Sequence, residues 1–244
     1  MRTPFTLAPE ALDFAGLIRE GDTVGWAQAT AEPVFLTRLL DEQVPRCPPF
    51  RLFFALTLAG DFAADHPNVK VHALGGGGAG RRFFAGGAGN VIPANISDLC
   101  DLIAAGRPRI DVVLLQVSGP DAAGNYNAGI GIECLREMIA RARLVIAQLN
   151  PVLPWSAGDT LIEGGLIDIL VPATHPVIEL PAPRIGPVEH AIAAHVARLV
   201  PDRATIELGI GSIPAAVTTA LGKNRGPLQI RQCVEVNKTS RTRV

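Results

Sequence analysis

Asp111-Val112-Val113-Leu114-Leu115-Gln116-Val117-Ser118-Gly119-Pro120-Asp121-Ala122-Ala123-Gly124 is the stretch on which the fold turns. From Val112 to Leu115 every side chain is apolar, with no polar alternation. A strand covered on both faces reads this way, whereas a strand with one face in water alternates. The run then becomes polar within one turn, at Ser118, Gly119, Pro120 and Asp121, residue types that suit the end of a strand. Similar runs recur outward at residues 23–28, 51–58, 69–74, 143–150, 167–172 and 205–209. Between many of them, residues 33–41, 97–105, 132–141, 187–200 and 213–221 carry apolar side chains three and four apart, the mark of a helix with one buried face. Pro187 and Pro214 fall near the starts of two of these, where a missing amide proton costs nothing. A parallel crossover needs a long connection that usually contains a helix. The expected fold is therefore α/β, an open and mainly parallel sheet with helices on both faces. An eight-fold barrel is the lesser reading, because the elements are too irregular and no fixed repeat is visible.

Two Gly-rich stretches, residues 75–80 and 85–90, flank Arg81-Arg82-Phe83-Phe84 and read as loops at a sheet edge. The proline-bearing stretch 172–187 reads as extended connection over the sheet, since proline cannot serve a central ladder, and no domain linker stands out. Residues 223–244 turn basic and polar and read as a frayed or disordered tail.

With 244 residues, 48% of them hydrophobic, the chain is expected to fold as a soluble globular unit with a sizeable core. Lys and Arg number 22 against 23 Asp and Glu, for a net charge of −1. No overall field then draws the chain to nucleic acid or an anionic membrane, and a small-molecule partner is expected. Residues 1–12 lack the charged start and apolar core of a signal peptide, and no apolar run approaches membrane-spanning length, so the expected compartment is the cytoplasm. Cys47, Cys100, Cys134 and Cys233 are widely spaced without a Cys-x-x-Cys pair and read as reduced thiols, mostly in the core. The five histidines form no ligand spacing, and no metal is expected.

Three constellations carry candidate chemistry. In Glu207-Leu208-Gly209-Ile210-Gly211-Ser212-Ile213-Pro214 a strand runs into two glycines and then a helix. Glycines let the backbone approach a ligand, while unpaired amides and the positive helix end favour phosphate or carboxylate. The bland alternative is a tight turn without a ligand. The stretch after residue 116 places Ser118 toward a cleft and Asp121 in the turn, where ordinary turn chemistry is the alternative for both. Gly25-Trp26-Ala27-Gln28-Ala29-Thr30-Ala31-Glu32-Pro33 places Gln28 and Glu32 at the mouth of the sheet, with Glu32 otherwise complementing a helix N-terminus. Arg81 and Arg82 either receive a nucleotide phosphate or lie in a solvated loop. No Gly-x-Ser-x-Gly elbow, Cys–His pair or carboxylate dyad appears.

Taken in order, these segments resemble the N-terminal domain of the acetyl-CoA hydrolase/transferase family, among them the 4-hydroxybutyrate CoA-transferases. Residues 25–39 resemble its first strand, turn and helix, including Ala31-Glu32-Pro33. Residues 112–124 resemble its apolar strand followed by Ser, Pro, Asp and Gly. Residues 143–154, 167–181 and 189–221 resemble an Asn-Pro turn, a Pro…Glu-Leu-Pro passage and a Gly-Ile-Gly-x-Ile-Pro turn. The likeness spans residues 16–226, taken as one domain at 1–226 with a divergent basic tail at 227–244.

The resemblance implies a NagB/RpiA/CoA-transferase-like fold and an enzyme that moves CoA between carboxylic acids or hydrolyses acyl-CoA through a glutamyl-CoA thioester. Acyl-CoA and small carboxylic acids are then substrates, with no permanently bound cofactor. Gly209, Ile210, Gly211, Ser212 and Ile213 match the CoA-contacting turn. The family's following Gly-Ile-His-(Ser/Thr)-Glu segment, with its nucleophilic glutamate, has no counterpart in register: Gln232 and Cys233 stand in its place. Glu235 is the nearest carboxylate and the one catalytic candidate. The family's second domain is also missing from the sequence, so the chain is expected to be incomplete alone and to form a homo-oligomer or join a chain carrying that domain. The alternatives are a non-catalytic CoA-binding or partner subunit and, more remotely, a sugar-phosphate isomerase-like enzyme.

Overall fold

The computed structural model describes residues 3–60, 62–63, 65–75, 77–85, 87, 89–224 and 229–233. In chain order they form β1 (Phe5–Thr6), α1 (Phe14–Leu17), β2 (Thr23–Trp26), α2 (Val34–Gln43), β3 (Phe50–Phe54), β4 (Val69–Ala73), α3 (Arg81–Ala85), β5 (Gly89–Val91), α4 (Ile96–Ala104) and β6 (Val112–Val117). There follow β7 (Asn125–Asn127), α5 (Leu135–Arg141), β8 (Leu144–Leu149), β9 (Leu161–Glu163), β10 (Ile169–Pro172), α6 (Pro187–Leu199), β11 (Thr205–Leu208), α7 (Ser212–Asn224) and β12 (Gln229–Cys233). They divide into two compact units, Met1–Glu179 and Leu180–Val244. The division falls inside the proline-bearing stretch that the sequence reading took as connection without a linker.

In the first unit eight strands lie in the order β1-β10-β8-β6-β2-β3-β4-β5, and every pairing in this sheet is parallel. Every residue of β6 is buried between β2 and β8, as its unbroken apolar run requires. Successive side chains alternate between two cores. Val24, Trp26, Leu52, Phe54, Leu114 and Ile146 point to the core that α1, α2 and α3 cover, through Phe14, Leu36, Leu40 and Phe83. Phe53, Val113, Leu115 and Val145 point to the core under α4 and α5, through Leu99, Ile103, Leu135 and Met138. Gly25 faces this second core, where an added Cβ would meet Ile110 at 3.2 Å and Met138 Sδ at 3.3 Å. A separate antiparallel ribbon pairs β7 with β9. In the second unit β11 and β12 pair in parallel across α7, and α6 packs with α7 around Ala193, Ala197, Ala216 and Leu221.

Four sequence readings are corrected. Within 85–90, read as loop, Gly89 and Asn90 belong to the edge strand β5, because β4 supplies a parallel ladder at Val71–Ala73. Arg81–Ala85 is helix, and the Arg82 guanidinium donates to the carbonyls of Gly60 and Phe62 and lies 5.2 Å from the Phe83 ring centre, committing it to the fold. Within the stretch read as a frayed or disordered tail, Gln229–Cys233 is strand, held by its ladder to β11. Cys100 and Cys134, read as reduced thiols, form a disulfide between α4 and the N-cap of α5, whereas Cys47 is free and buried, with its thiol pKa pushed up chiefly by desolvation. That pairing depends on helices 34 residues apart meeting over one sheet face. Among the described residues no helix is long and apolar enough to cross a membrane.

Candidate functional site

The strand order has one reversal: the chain builds outward from β2 to β5, then returns on the other side of β2 with β6, β8 and β10. A reversal of this kind leaves a crevice beyond the carboxyl ends of the two strands beside it, the usual ligand position in open α/β sheets. Here those strands are β2 and β6, and the segments after them carry Gln28, Glu32 and Ser118.

Glu32 follows a short 3-10 turn at Ala29–Ala31, entered at Ala29 with φ of +52°, and is 2% exposed. Its carboxylate accepts hydrogen bonds from the Thr57 hydroxyl at 2.8 Å, the Leu58 amide at 3.0 Å and the Ala59 amide at 3.2 Å. A carboxylate can stay buried when donors surround it, and these donors belong to the loop after β3. Glu32 thus ties the loop after β2 to the loop after β3. Its backbone carbonyl also accepts from Gln116 Nε2 at 3.3 Å.

Gln116 opens a polar layer that the sequence reading missed. It shares a sheet face with Leu114, and its register partner Gln148 shares that face with Ile146. Asn150 Nδ2 donates to Gln116 Oε1 at 2.9 Å and to the His175 carbonyl at 2.9 Å, while the His175 amide donates to Asn150 Oδ1 at 3.2 Å. Gln148 Nε2 donates to the Ala173 carbonyl at 3.1 Å. The available signal was the interruption of apolar strands by amides at positions 116, 148 and 150, but the alternation alone does not say that they meet. Among the described residues, Ser118 Oγ and Gln148 Oε1 are buried without a hydrogen-bond partner.

The Ser118 backbone pairs with Asn127 in both directions at 2.9 Å, which holds its hydroxyl at the carboxyl end of β6. Asp121 lies farther along the same loop, and its carboxylate accepts from the amides of Asn125 at 2.8 Å and Ala123 at 2.9 Å and from the Asn125 side chain at 3.2 Å. The Asn125 amide is the main cause of a lowered Asp121 pKa. Both oxygens therefore serve their own turn.

Gln28 is buried and lines a small hollow with Ala27, Gly131, Ile132, Glu133, Leu135 and Met138. Partial desolvation raises the Glu133 carboxyl pKa, although the residue as a whole is exposed to water. A carboxyl whose pKa is higher in the folded state favours folding below the ordinary glutamate range, and that advantage is lost as pH rises through the raised value. Urea unfolding midpoints measured from about pH 4 to 8 are expected to fall slightly relative to those of Glu133→Gln as pH rises, a small difference because solvent screens the exposed group; equal slopes for both proteins would contradict the assignment.

In the second unit β11 delivers Gly209, Ile210 and Gly211 to the start of α7. Gly211 sits at φ +130°, a backbone region suited to glycine, and an added Cβ at Gly209 would meet nothing within 4 Å. Ile210 and Ile213 are exposed, at 55% and 43%. The Ser212 hydroxyl bonds the Glu189 carboxylate, which also takes the Gly186 amide at 2.9 Å; with the Glu189 amide as the largest cause, these bonds lower the Glu189 pKa. The turn is therefore open, leads into a 13-residue helix and has its serine already engaged. Gln232 and Cys233 lie on β12, and Glu235 lies outside the described residues. Among the described residues no group of three or more His, Cys, Asp or Glu is placed to hold a metal ion.

The chain is 33% identical over 216 residues to a 4-hydroxybutyrate coenzyme A transferase of Clostridium kluyveri, covering 87% of this chain and 50% of that protein. It is 26% identical over 223 residues to a succinyl-CoA:cyclohexane-1-carboxylate CoA transferase of Geobacter metallireducens, covering 86% of this chain and 48% of that one. The crystal structure of RipA from Yersinia pestis superposes with a TM-score of 0.83 at 26% identity, over 93% of this chain and 55% of RipA. The chain thus spans about half the length of these relatives. The family model for the acetyl-CoA hydrolase/transferase N-terminal domain matches residues 8–179, nearly the whole of the first unit. A match over that much of the sequence, on a parallel sheet of the expected kind, makes the chain a member of the acetyl-CoA hydrolase/transferase family.

Proposed function

We propose that this chain contributes the CoA-binding portion of an acyl-CoA:carboxylate CoA-transferase or acyl-CoA hydrolase, with Gly209, Ile210, Gly211, Ser212 and Ile213 forming the CoA-contacting turn. The observation that carries this reading is an open strand-glycine-helix turn in a chain that shares its family with CoA-transferases. The positive end of α7 suits a phosphate, and Gly211 lets the backbone come close to it. The mouth formed by Gln28, Glu32 and Ser118 in the first unit is assigned as a substrate pocket, with Glu32 shaping it and the Ser118 hydroxyl offering a hydrogen bond. CoA and its thioesters act as substrates rather than resident cofactors, and the cytoplasm is the proposed compartment.

In the transferase reaction a glutamate carboxylate attacks the thioester carbonyl, releasing CoA thiolate and leaving a mixed anhydride. The thiolate then attacks the glutamyl carbonyl and releases the original acid, so acyl energy is retained as a glutamyl thioester. With Gln232 and Cys233 at the family's glutamate position, the chain is assigned the binding role, its carboxylate coming from Glu235 or from a second chain. A non-catalytic CoA-binding partner subunit is the second reading, favoured by that same Gln232-Cys233 pair.

Titration calorimetry with CoA tests the site. The chain is expected to bind, and Gly211→Val to weaken binding by at least about tenfold, because valine disfavours positive φ and closes the backbone approach. A circular-dichroism spectrum matching the parent's would exclude loss of the helix. Absence of binding, or equal affinity in a folded variant, would overturn the site. Turnover assays of the chain alone with several acyl-CoAs and acceptor acids test its incompleteness: no turnover is expected, and robust transfer or hydrolysis without any partner would overturn the binding-only role.

A further inference from the structure

We propose that Cys100 and Cys134 form a reversible thiol–disulfide switch that tethers one wall of the sheet mouth. Three observations converge on it. The two cysteines lie on α4 and at the start of α5 with Cα atoms 4.9 Å apart, within bridging distance. Cys134 is fully buried whereas Cys100 keeps part of its surface in water, which makes Cys100 the side from which a thiol would approach. The residues just before Cys134 form the wall itself: Gly131, Ile132 and Glu133 line the hollow beside Gln28. Gly131 packs so closely on the turn after β2 that an added Cβ would lie 2.9 Å from Ala31 Cβ.

The exchange is complete with glutathione disulfide as the oxidant. The Cys100 thiolate attacks one of its sulfurs, forming a Cys100–glutathione mixed disulfide and releasing one glutathione thiol. Cys134 loses its proton and attacks Cys100 Sγ, releasing the second glutathione thiol; one disulfide is consumed and one is made. In reverse, a glutathione thiolate attacks Cys100 Sγ and Cys134 leaves as thiolate and takes up a proton; a second glutathione thiolate then attacks the glutathione sulfur of the mixed disulfide, releasing the Cys100 thiolate and glutathione disulfide. The Ile96 carbonyl, 3.8 Å from Cys134 Sγ, is placed to accept the new S–H. Oxidation thus joins the wall to α4, and reduction releases it while leaving the buried sulfur with an acceptor.

The test equilibrates the full chain in glutathione buffers from fully reduced to fully oxidised, traps thiols with an alkylating agent and maps the products by mass spectrometry. Hydrogen exchange and thermal unfolding are then read on both end states. The expected result is a Cys100–Cys134 link that opens and closes reversibly while the chain stays folded. Amide exchange over 129–134 should be at least about tenfold slower in the oxidised form, and Tm about 5–10 °C higher. Cys134→Ser should form no internal link in any buffer, carrying at most a Cys100–glutathione mixed disulfide, and should keep the fast exchange of the reduced state over 129–134, while Cys47→Ser should leave the response intact. Failure of the link to form, a link that opens only on unfolding, or identical exchange over 129–134 in the two states would each overturn the switch.

Discussion

Replacing Glu32 by alanine is expected to lower the stability of the Met1–Glu179 unit by about 3 kcal/mol. The substitution removes the acceptor of the Thr57 hydroxyl and of the Leu58 and Ala59 amides at once. Leaving a buried donor unsatisfied costs about 1–3 kcal/mol, more when the lost acceptor was charged, and water reaching the part-buried Leu58 and Ala59 offsets some of the total. Glu32→Gln is expected to cost roughly half as much, since its carbonyl still accepts while its amide group faces other donors. Thr57→Val removes one bond and should cost about 1 kcal/mol. Urea unfolding followed by tryptophan fluorescence reads all three, because both tryptophans, Trp26 and Trp155, belong to this unit. An alanine variant within about 0.5 kcal/mol of the parent would mean that the three bonds do not hold the loop.

Trp26→Ala is expected to be at least as damaging, at about 3–5 kcal/mol, the range for emptying a large aromatic site in a packed core. Trp26 is fully buried at the end of β2, stacked on Phe54 with ring centres 5.7 Å apart and 5.9 Å from Phe62. Phe54 touches Phe83 in turn, so the cavity would open beneath the loops that bear Glu32 and Thr57. Among the described residues the indole Nε1 has no partner, so Trp26→Phe loses volume without stranding a donor and should cost well under half as much. Trp155 remains as reporter in both variants. A smaller loss for alanine than for phenylalanine would contradict the packing assigned to this ring.

The elements legible in the sequence were those whose periodicity is long enough to be local information. The strand read at 111–118 is Val112–Val117, and the helix read at 187–200 is Pro187–Leu199. Four strands of the first unit escaped: β1, β5, β7 and β9 are only two or three residues long and exist because a neighbouring strand offers its ladder. β12 was hidden differently, in a basic stretch whose composition resembles a tail until β11 pairs with it. At the candidate site, Gln28, Glu32 and Ser118 were singled out from their place at or after the ends of apolar runs. Asp121 was legible as well, but its partners are in its own turn. Gln148 and Asn150 stayed unremarked because an amide at a strand end acquires meaning only when an adjacent strand brings Gln116 beside it.

The sequence by itself determined that the 111–118 run is a strand buried on both faces, that the sheet is parallel with helices over both faces, and which family the chain resembles. Each follows from a local property, because side-chain periodicity and motif order are written along the chain. Only the tertiary structure decided that β6 lies beside β2 at the reversal, that Glu32 binds the loop after β3, and that Cys100 meets Cys134. Those depend on contacts between residues 25 or more positions apart, down to the 25 that separate Glu32 from Thr57. Such contacts are chosen by how the elements pack together, which no single stretch encodes.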